Sequence, residues 1–294
     1  MNISRWRCLT PGIPLIAWLV ATCAVSAQGD RITIQLTPKP NQVVRYHSVK
    51  EMRFTLPSGG ATAEPSPSLP GLGNIAATVD TVHTVTLDVP DAQGHAEARF
   101  TYDQFTMQIS VNGQTMPLPF SVDTILRQSF TAIVDRDGRI VDFKGSDQNP
   151  MLAAIKPLLA ITLGGTSVTL SPGETASVPL SADLALPIPG ATGAMTMTGE
   201  TKYTLVSVDT GSAGRVAHLN TTVTGRLVAQ DTQAPAAAMS MTMSMSGDGT
   251  LDVDVARGVV TLRRQRQTID MEIKSGVVPP MKMTGLITST VTAE

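Results

Sequence analysis

The sequence predicts an all-β protein: long antiparallel strands forming a curved sheet, half-barrel or sandwich, with one central helix near residues 150–163. Three observations carry that expectation. Apolar and polar residues alternate with period two along most of the chain, as side chains do when they point to opposite faces of a strand. Thr and Val dominate these runs, which suits a pleated, half-buried surface. The runs end at turn signals rather than at helix caps, and long alternating runs joined by turns mean antiparallel sheet.

The first 27 residues read as a secretory leader. Arg5 and Arg7 form a positive start, Ile13 to Ala21 an apolar core, and Val25-Ser26-Ala27 a small-residue cleavage site. A second reading would lipidate Cys23, but Thr22 precedes it where such boxes place Gly, Ala or Ser. The expected location is therefore secreted or periplasmic after cleavage near Ala27. The apolar run, at about nine residues, is far short of the roughly 20 needed to span a bilayer, and no second apolar stretch follows. Removal of 27 residues from 294 leaves 267, and with them go both cysteines and both tryptophans. Disulfides and thiolate chemistry are thus excluded from the mature chain, and a packed core must hold it. Arg5 and Arg7 account for two of the 22 basic residues, so 20 remain against 24 acidic ones. That balance lacks the basic footprint of a nucleic-acid partner.

"RITIQL" (31–36), "TVDTVHTVTLDV" (78–89), "FTMQISV" (105–111), "TKYTLVSVD" (201–209) and "RVAHLNTTVTGRLVA" (215–229) each place apolar residues mainly on one face. Asn112-Gly113 and Asp137-Gly138 are two-residue hairpin signals, because both central positions of a type I′ turn need positive φ. Residues 57–74, rich in Pro, Gly, Ser and Ala, read as a flexible loop. Asn149 and Pro150 open the helix as cap and first residue, and Pro157 kinks it. It separates two β-rich halves, 28–146 and 165–294, which we read as one domain over 28–294.

No nucleophile elbow, zinc-binding H-E-x-x-H, P-loop or paired-carboxylate frame is present, so the chain reads as non-enzymatic and implies no cofactor. Asp135-x-Asp137-Gly138 resembles the opening of a calcium loop, but Ser146 stands where a bidentate Glu would be needed. His83 shares a strand face with Val79, Val85 and Leu87 and reads as a hydrogen-bonded core residue. Arg263-Arg264-Gln265-Arg266, the one basic cluster, alternates across both faces of a probable strand and reads as a solvated edge rather than a phosphate site.

Methionine is the unusual feature. Of 14 in the chain, eight fall at alternate positions: Met195 and Met197, then Met239, Met241, Met243 and Met245, then Met281 and Met283. The pattern M-x-M-[ST]-G recurs at 195–199, 243–247 and 281–285, as if neighbouring strands presented equivalent positions. Met is unbranched and polarizable and recurs at promiscuous binding faces, so these residues are candidates to hold an apolar small molecule or lipid. The alternative is a Cu(I) site at Met241, Met243 and Met245 with help from His218, since thioethers are soft ligands. Plain core packing uses the same parity and needs no ligand.

From Met239 to Val255 every odd position is apolar or Gly and every even one is Ser, Thr or Asp. A two-residue turn at Gly247-Asp248 would break that parity, so 239–256 is expected to run on as one strand and pair with 259–275 about Arg257-Gly258. Strict register then sets Met245 opposite Asp270. A one-residue bulge, expected at Gly247 to Gly249, moves it opposite Ile269 or Met271.

"RITIQLTPKPNQVVRYHSVKEMRFTL", "FTAIVDRDGRIVDFKG", "LSPGETASVPL" and "GDGTLDVDVARGVVTLRRQRQTIDMEI" together resemble a family of secreted bacterial β-rich proteins defined only as a domain of unknown function. The resemblance implies an envelope or secreted β protein and supplies no activity.

Overall fold

The structure, a computed structural model, describes residues 31–36, 39–55, 73–118, 122, 126, 129–135, 140–144, 167–185, 193–212, 214–231, 239–275 and 278–294. The expected leader, the helix at 150–163 and the loop at 57–74 lie outside these residues, apart from the last positions of the loop. There the strand has already resumed, because Asn74 pairs with Thr55.

Strands occupy 82% of the described residues and helix 1%, so the chain is all-β, as its alternation predicts. Eleven strands lie in one antiparallel sheet in the order β7-β6-β4-β3-β2-β14-β13-β12-β11-β10-β9, with the short β5 paired to β4. Two meanders build it. The first runs through β2 (Val43–Thr55), β3 (Asn74–Leu87), β4 (Ala96–Val111), β5 (Gln114–Met116), β6 (Ser129–Val134) and β7 (Ile140–Phe143). The second runs through β9 (Thr175–Ala185), β10 (Gly193–Gly211), β11 (Gly214–Asp231), β12 (Met239–Asp254), β13 (Val259–Ser275) and β14 (Val278–Ala293). The β14–β2 ladder, from Thr284↔Thr55 to Ala293↔Tyr46, makes the two halves one continuous, unclosed sheet. Pro179 sits in β9, where a missing N–H costs no ladder bond on the open side.

Hairpin chemistry follows the sequence where it is described. Asn112 (φ 51) and Gly113 (φ 81) form the turn between β4 and β5. β6 and β7 pair as expected, with Asp137-Gly138 outside the described residues. At Arg257-Gly258 the expectation needs correction. The turn has four residues, not two: Gly258 (φ 67) donates its N–H to the Asp254 carbonyl, and Arg257 N–H bonds the Asp254 carboxylate. Asp254 therefore pairs with Val259 and Val253 with Val260. The bulge exists but lies at Thr261, between Val253↔Val260 and Asp252↔Leu262, and its hydroxyl donates to the Asp252 carbonyl. Gly247 to Gly249 pair without a shift. Longer turn and bulge together bring Met245 opposite Ile269, one of the two partners that parity allowed.

"RITIQL" forms a strand, β1 (Ile32–Gln35), but outside the main sheet. It pairs with β8 (Ser167–Leu170) as a separate ribbon. Ile32, Ile34, Val168 and Leu170 are buried from this ribbon against one end of the sheet's inner face. There they meet Val44 and Tyr46 of β2, Phe100 of β4, Phe130 of β6, Leu205 of β10 and Leu251 of β12 in one core. The ribbon's following turn is tied to β10 where that strand bulges past Val206, through Gly173 N–H to Leu205 O and Leu205 N–H to Glu174 O.

Candidate functional site

The other end of the same face carries the methionines. Register fixes how they assemble, because residues opposite one another in a ladder share a face. Met197 of β10 lies opposite Leu227, Leu227 opposite Met243, Met243 opposite Met271, and Met271 opposite Met283. One row thus crosses five strands with four sulfurs. The next row outward runs Met195, Ala229, Met241, Ile273, Met281. Met239 falls beyond it, opposite Ser275.

The three M-x-M-[ST]-G copies are therefore not on neighbouring strands. They occupy β10, β12 and β14, which run in the same direction with β11 and β13 between them. Copies one and three are equivalent, whereas the copy on β12 is displaced by two residues. Met241 and Met243 take the equivalent places, and Met245 shares a row with Gly199, Gly225 and Gly285. The longer run on β12 is what keeps the methionine face continuous despite that offset.

Met197 is buried with Leu227 and Ala229 in a small cluster separate from the main core. Met241 and Met243 pack half-buried against it, and Met245, Met281 and Met283 are also half-buried. On β14, residues 278–283 pair among the described residues with β13 alone, the described part of β2 reaching Thr55 opposite Thr284. Pro279 and Pro280 fit that open edge. Beyond these strands, no described element covers the methionine rows.

His218 stands apart from them. It lies on the outer face, with Nδ1 2.8 Å from Asp252 Oδ1 and Nε2 3.2 Å from Asp209 Oδ2. A part in a copper site with the inward-facing Met241, Met243 and Met245 would require it to cross the sheet. Among the described residues no group of three or more His, Cys, Asp or Glu is placed to hold a metal. The Asp252 hydrogen bond, with the Asp252 and Asp209 charges, raises the His218 pKa above its usual 6.5. A raised folded-state pKa stabilises below the unfolded value and is lost as pH climbs through the folded one. The melting temperature should therefore fall as pH rises from the usual histidine value through the raised one, and His218→Gln should flatten that segment of a melting-temperature profile against pH. An unchanged slope in the variant would overturn the assignment.

His83 is an inner-face residue, as its strand parity predicts, but the expected hydrogen bond is missing at Nδ1, which is buried without a partner. Its ring lies between Tyr46 and Tyr102, with centroids 5.6 and 5.7 Å away. Tyr102 continues the stack edge-on to Phe105 and Phe130. Burial lowers the His83 pKa, keeping the imidazole neutral, and pushes the Tyr46 hydroxyl up to about 12.

On β2 and β13 two inner-face side chains are cationic, and one of them, Lys50, escaped the sequence reading. Arg264 and Arg266 are exposed on the outer face, but Arg263 has the opposite parity and faces inward from β13, which is a central strand and not an edge. Lys50 faces inward from β2, in phase with Val44, Tyr46, Met52 and Phe54. The alternation that marked the apolar face was the signal that could have found Lys50.

No protein-family model matches the chain, and no curated protein matches it. Among solved structures, the chain is similar to Pseudomonas aeruginosa OccK5 (OpdH) over 87% of its own length and 99% of that chain, at 8% identity and a TM-score of 0.21. A mutant Rh. blastica porin gives 8% identity, 86% and 100% coverage and a TM-score of 0.24. An outer membrane channel from Pseudomonas putida F1 gives 8%, 86%, 96% and 0.17. At such scores these likenesses carry no argument about fold or function. No helix among the described residues is long and apolar enough to cross a membrane.

Proposed function

We propose that this chain is an extracytoplasmic, non-enzymatic binding protein that holds an apolar molecule, an acyl chain above all, against its methionine-lined inner face. The observation that carries the reading is the division of that face. One end is filled by the β1–β8 ribbon and aromatic core, while the other continues as rows of half-buried methionine with no described element over them. Flexible thioether side chains adapt to an irregular hydrocarbon at little cost. The leader-like first 27 residues support a site of action outside the cytoplasm.

Native mass spectrometry of protein purified from its source should show a co-purifying lipid, and an apolar fluorescent probe should bind with a blue shift. Met243→Asp places a charge in the middle of the longest methionine row and is expected to weaken probe binding at least tenfold with the fold intact. Probe affinity unchanged in that variant would sink the reading. Tight Cu(I) binding by the wild type, lost in the triple Met241, Met243, Met245→Leu variant, would replace it.

A further inference from the structure

We propose that the molecule held on the methionine face is an acyl lipid with an anionic phosphate head group, and that Lys50 and Arg263 receive the phosphate at the inner end of that face. This rests on the apolar-ligand reading above and names the ligand class within it. Consider the inner face from the row containing Leu205, Leu219 and Leu251 out to the methionines. On β2, β3, β4 and β9 through β14, its inward positions hold two charged residues, Lys50 and Arg263, and no Asp or Glu. Asp80, Asp252, Asp270 and Glu272 of these strands sit at outward positions and are bonded there. Neither Lys50 nor Arg263 makes a hydrogen bond or ion pair among the described residues.

The two cations are close. Lys50 lies opposite Ser289 and Ser289 opposite Gln265, one inward position from Arg263. Two interstrand steps and one row put their Cα atoms roughly 12 Å apart, a gap that two long, flexible side chains close readily. Burial raises the pKa of Tyr46 on β2 and of Tyr203 on β10, and the charge of Arg263, on the strand between them, opposes that rise at both. Burial lowers the Lys50 pKa and the neighbouring Arg263 charge adds to that, the mark of like charges held together without a counter-ion.

Half-buried cations without partners are costly, and an anion that arrives with the ligand removes that cost. A phosphate fits better than a carboxylate on two counts. A phosphate monoester carries about −1.5 to −2 charges near neutral pH, matching two cations, and its three oxygens take the Arg fork and the Lys ammonium together. Length agrees as well. From Ser289 to Met281 the strand runs about 26 Å, more than the roughly 15 Å of one leaflet of bilayer hydrocarbon.

The test is displacement of the apolar probe from the purified protein by three ligands that share one chain: decyl phosphate, decanoate and decanol. Decyl phosphate is expected to bind at least tenfold more tightly than decanol and more tightly than decanoate, with that advantage lost in 0.5 M salt. Lys50→Gln with Arg263→Gln should reduce decyl phosphate to the affinity of decanol and leave decanol unchanged. Equal binding of phosphate and alcohol by the wild type overturns the head-group assignment while the apolar reading stands. Decanoate binding as well as the phosphate overturns the choice of phosphate. Failure of all three to displace the probe sinks the apolar reading, and this one with it.

Discussion

Leu251→Ala is expected to cost about 3 kcal/mol, within the range for truncating a fully buried leucine. For a domain of this size that is a fall of roughly 6–12 °C in melting temperature. Leu251 is 1% exposed, opposite Leu219 at 1%, in the row that Leu205 at 0% completes on β10. The β1–β8 ribbon closes over this end of the sheet, so the void left by truncation cannot collapse freely. Met243→Ala, eight residues earlier on the same face of the same strand, should cost about half as much, because Met243 is only half-buried. Chemical denaturation of both variants checks the contrast. Equal losses would mean that the methionine rows are ordinary core, and the division of the face on which the functional reading depends would be wrong.

The parts of this architecture that were legible in the sequence are those set by local pattern. Alternation placed β3, β10, β11, β12 and β13, and parity alone excluded a turn at Gly247-Asp248 and narrowed the partner of Met245 to Ile269 or Met271, of which the structure takes Ile269. What parity cannot report is where a register shift falls. A two-residue turn with a bulge at Gly247 and a four-residue turn with a bulge at Thr261 leave the same residues paired farther out. The choice was made by the Asp254 carboxylate capping the turn and by the Thr261 hydroxyl, contacts of a few atoms. The β1–β8 pairing was illegible for another reason. Four-residue strands carry too little pattern to name a partner so far along the chain. Lys50 was legible by the same alternation, and so was the spread of the basic cluster across both faces. What the pattern cannot report is that the strand of Arg263 is central rather than an edge, since that depends on which strands pair with it.

The glycines on the inner face should show a graded response that ties curvature to the site. A side chain on Gly199 would strike the Thr224 carbonyl oxygen and Gly225 Cα, both backbone of the neighbouring strand and unable to yield. Gly199→Ala is expected to cost about 2–3 kcal/mol, the scale of overpacking with backbone displacement. At Gly285 the obstacle is the half-buried Phe54 ring, a side chain rather than backbone, so alanine there should cost less. At Gly225 the nearest atom is Met245 Cε at 3.2 Å, the tip of a flexible chain. Alanine should fall within about 0.5 kcal/mol of neutral, since the side chain also narrows the unfolded ensemble. The order of melting temperatures, Gly225→Ala highest and Gly199→Ala lowest, is the measurement, and a flat series would overturn it. These three glycines share one row with Met245, next to the row of Met197, Met243 and Met283. Strand glycines of this kind let neighbouring backbones approach and the sheet coil. Gly199→Ala should therefore also weaken the apolar probe, because the variant that straightens β10 there draws Met197 away from the row that binds it.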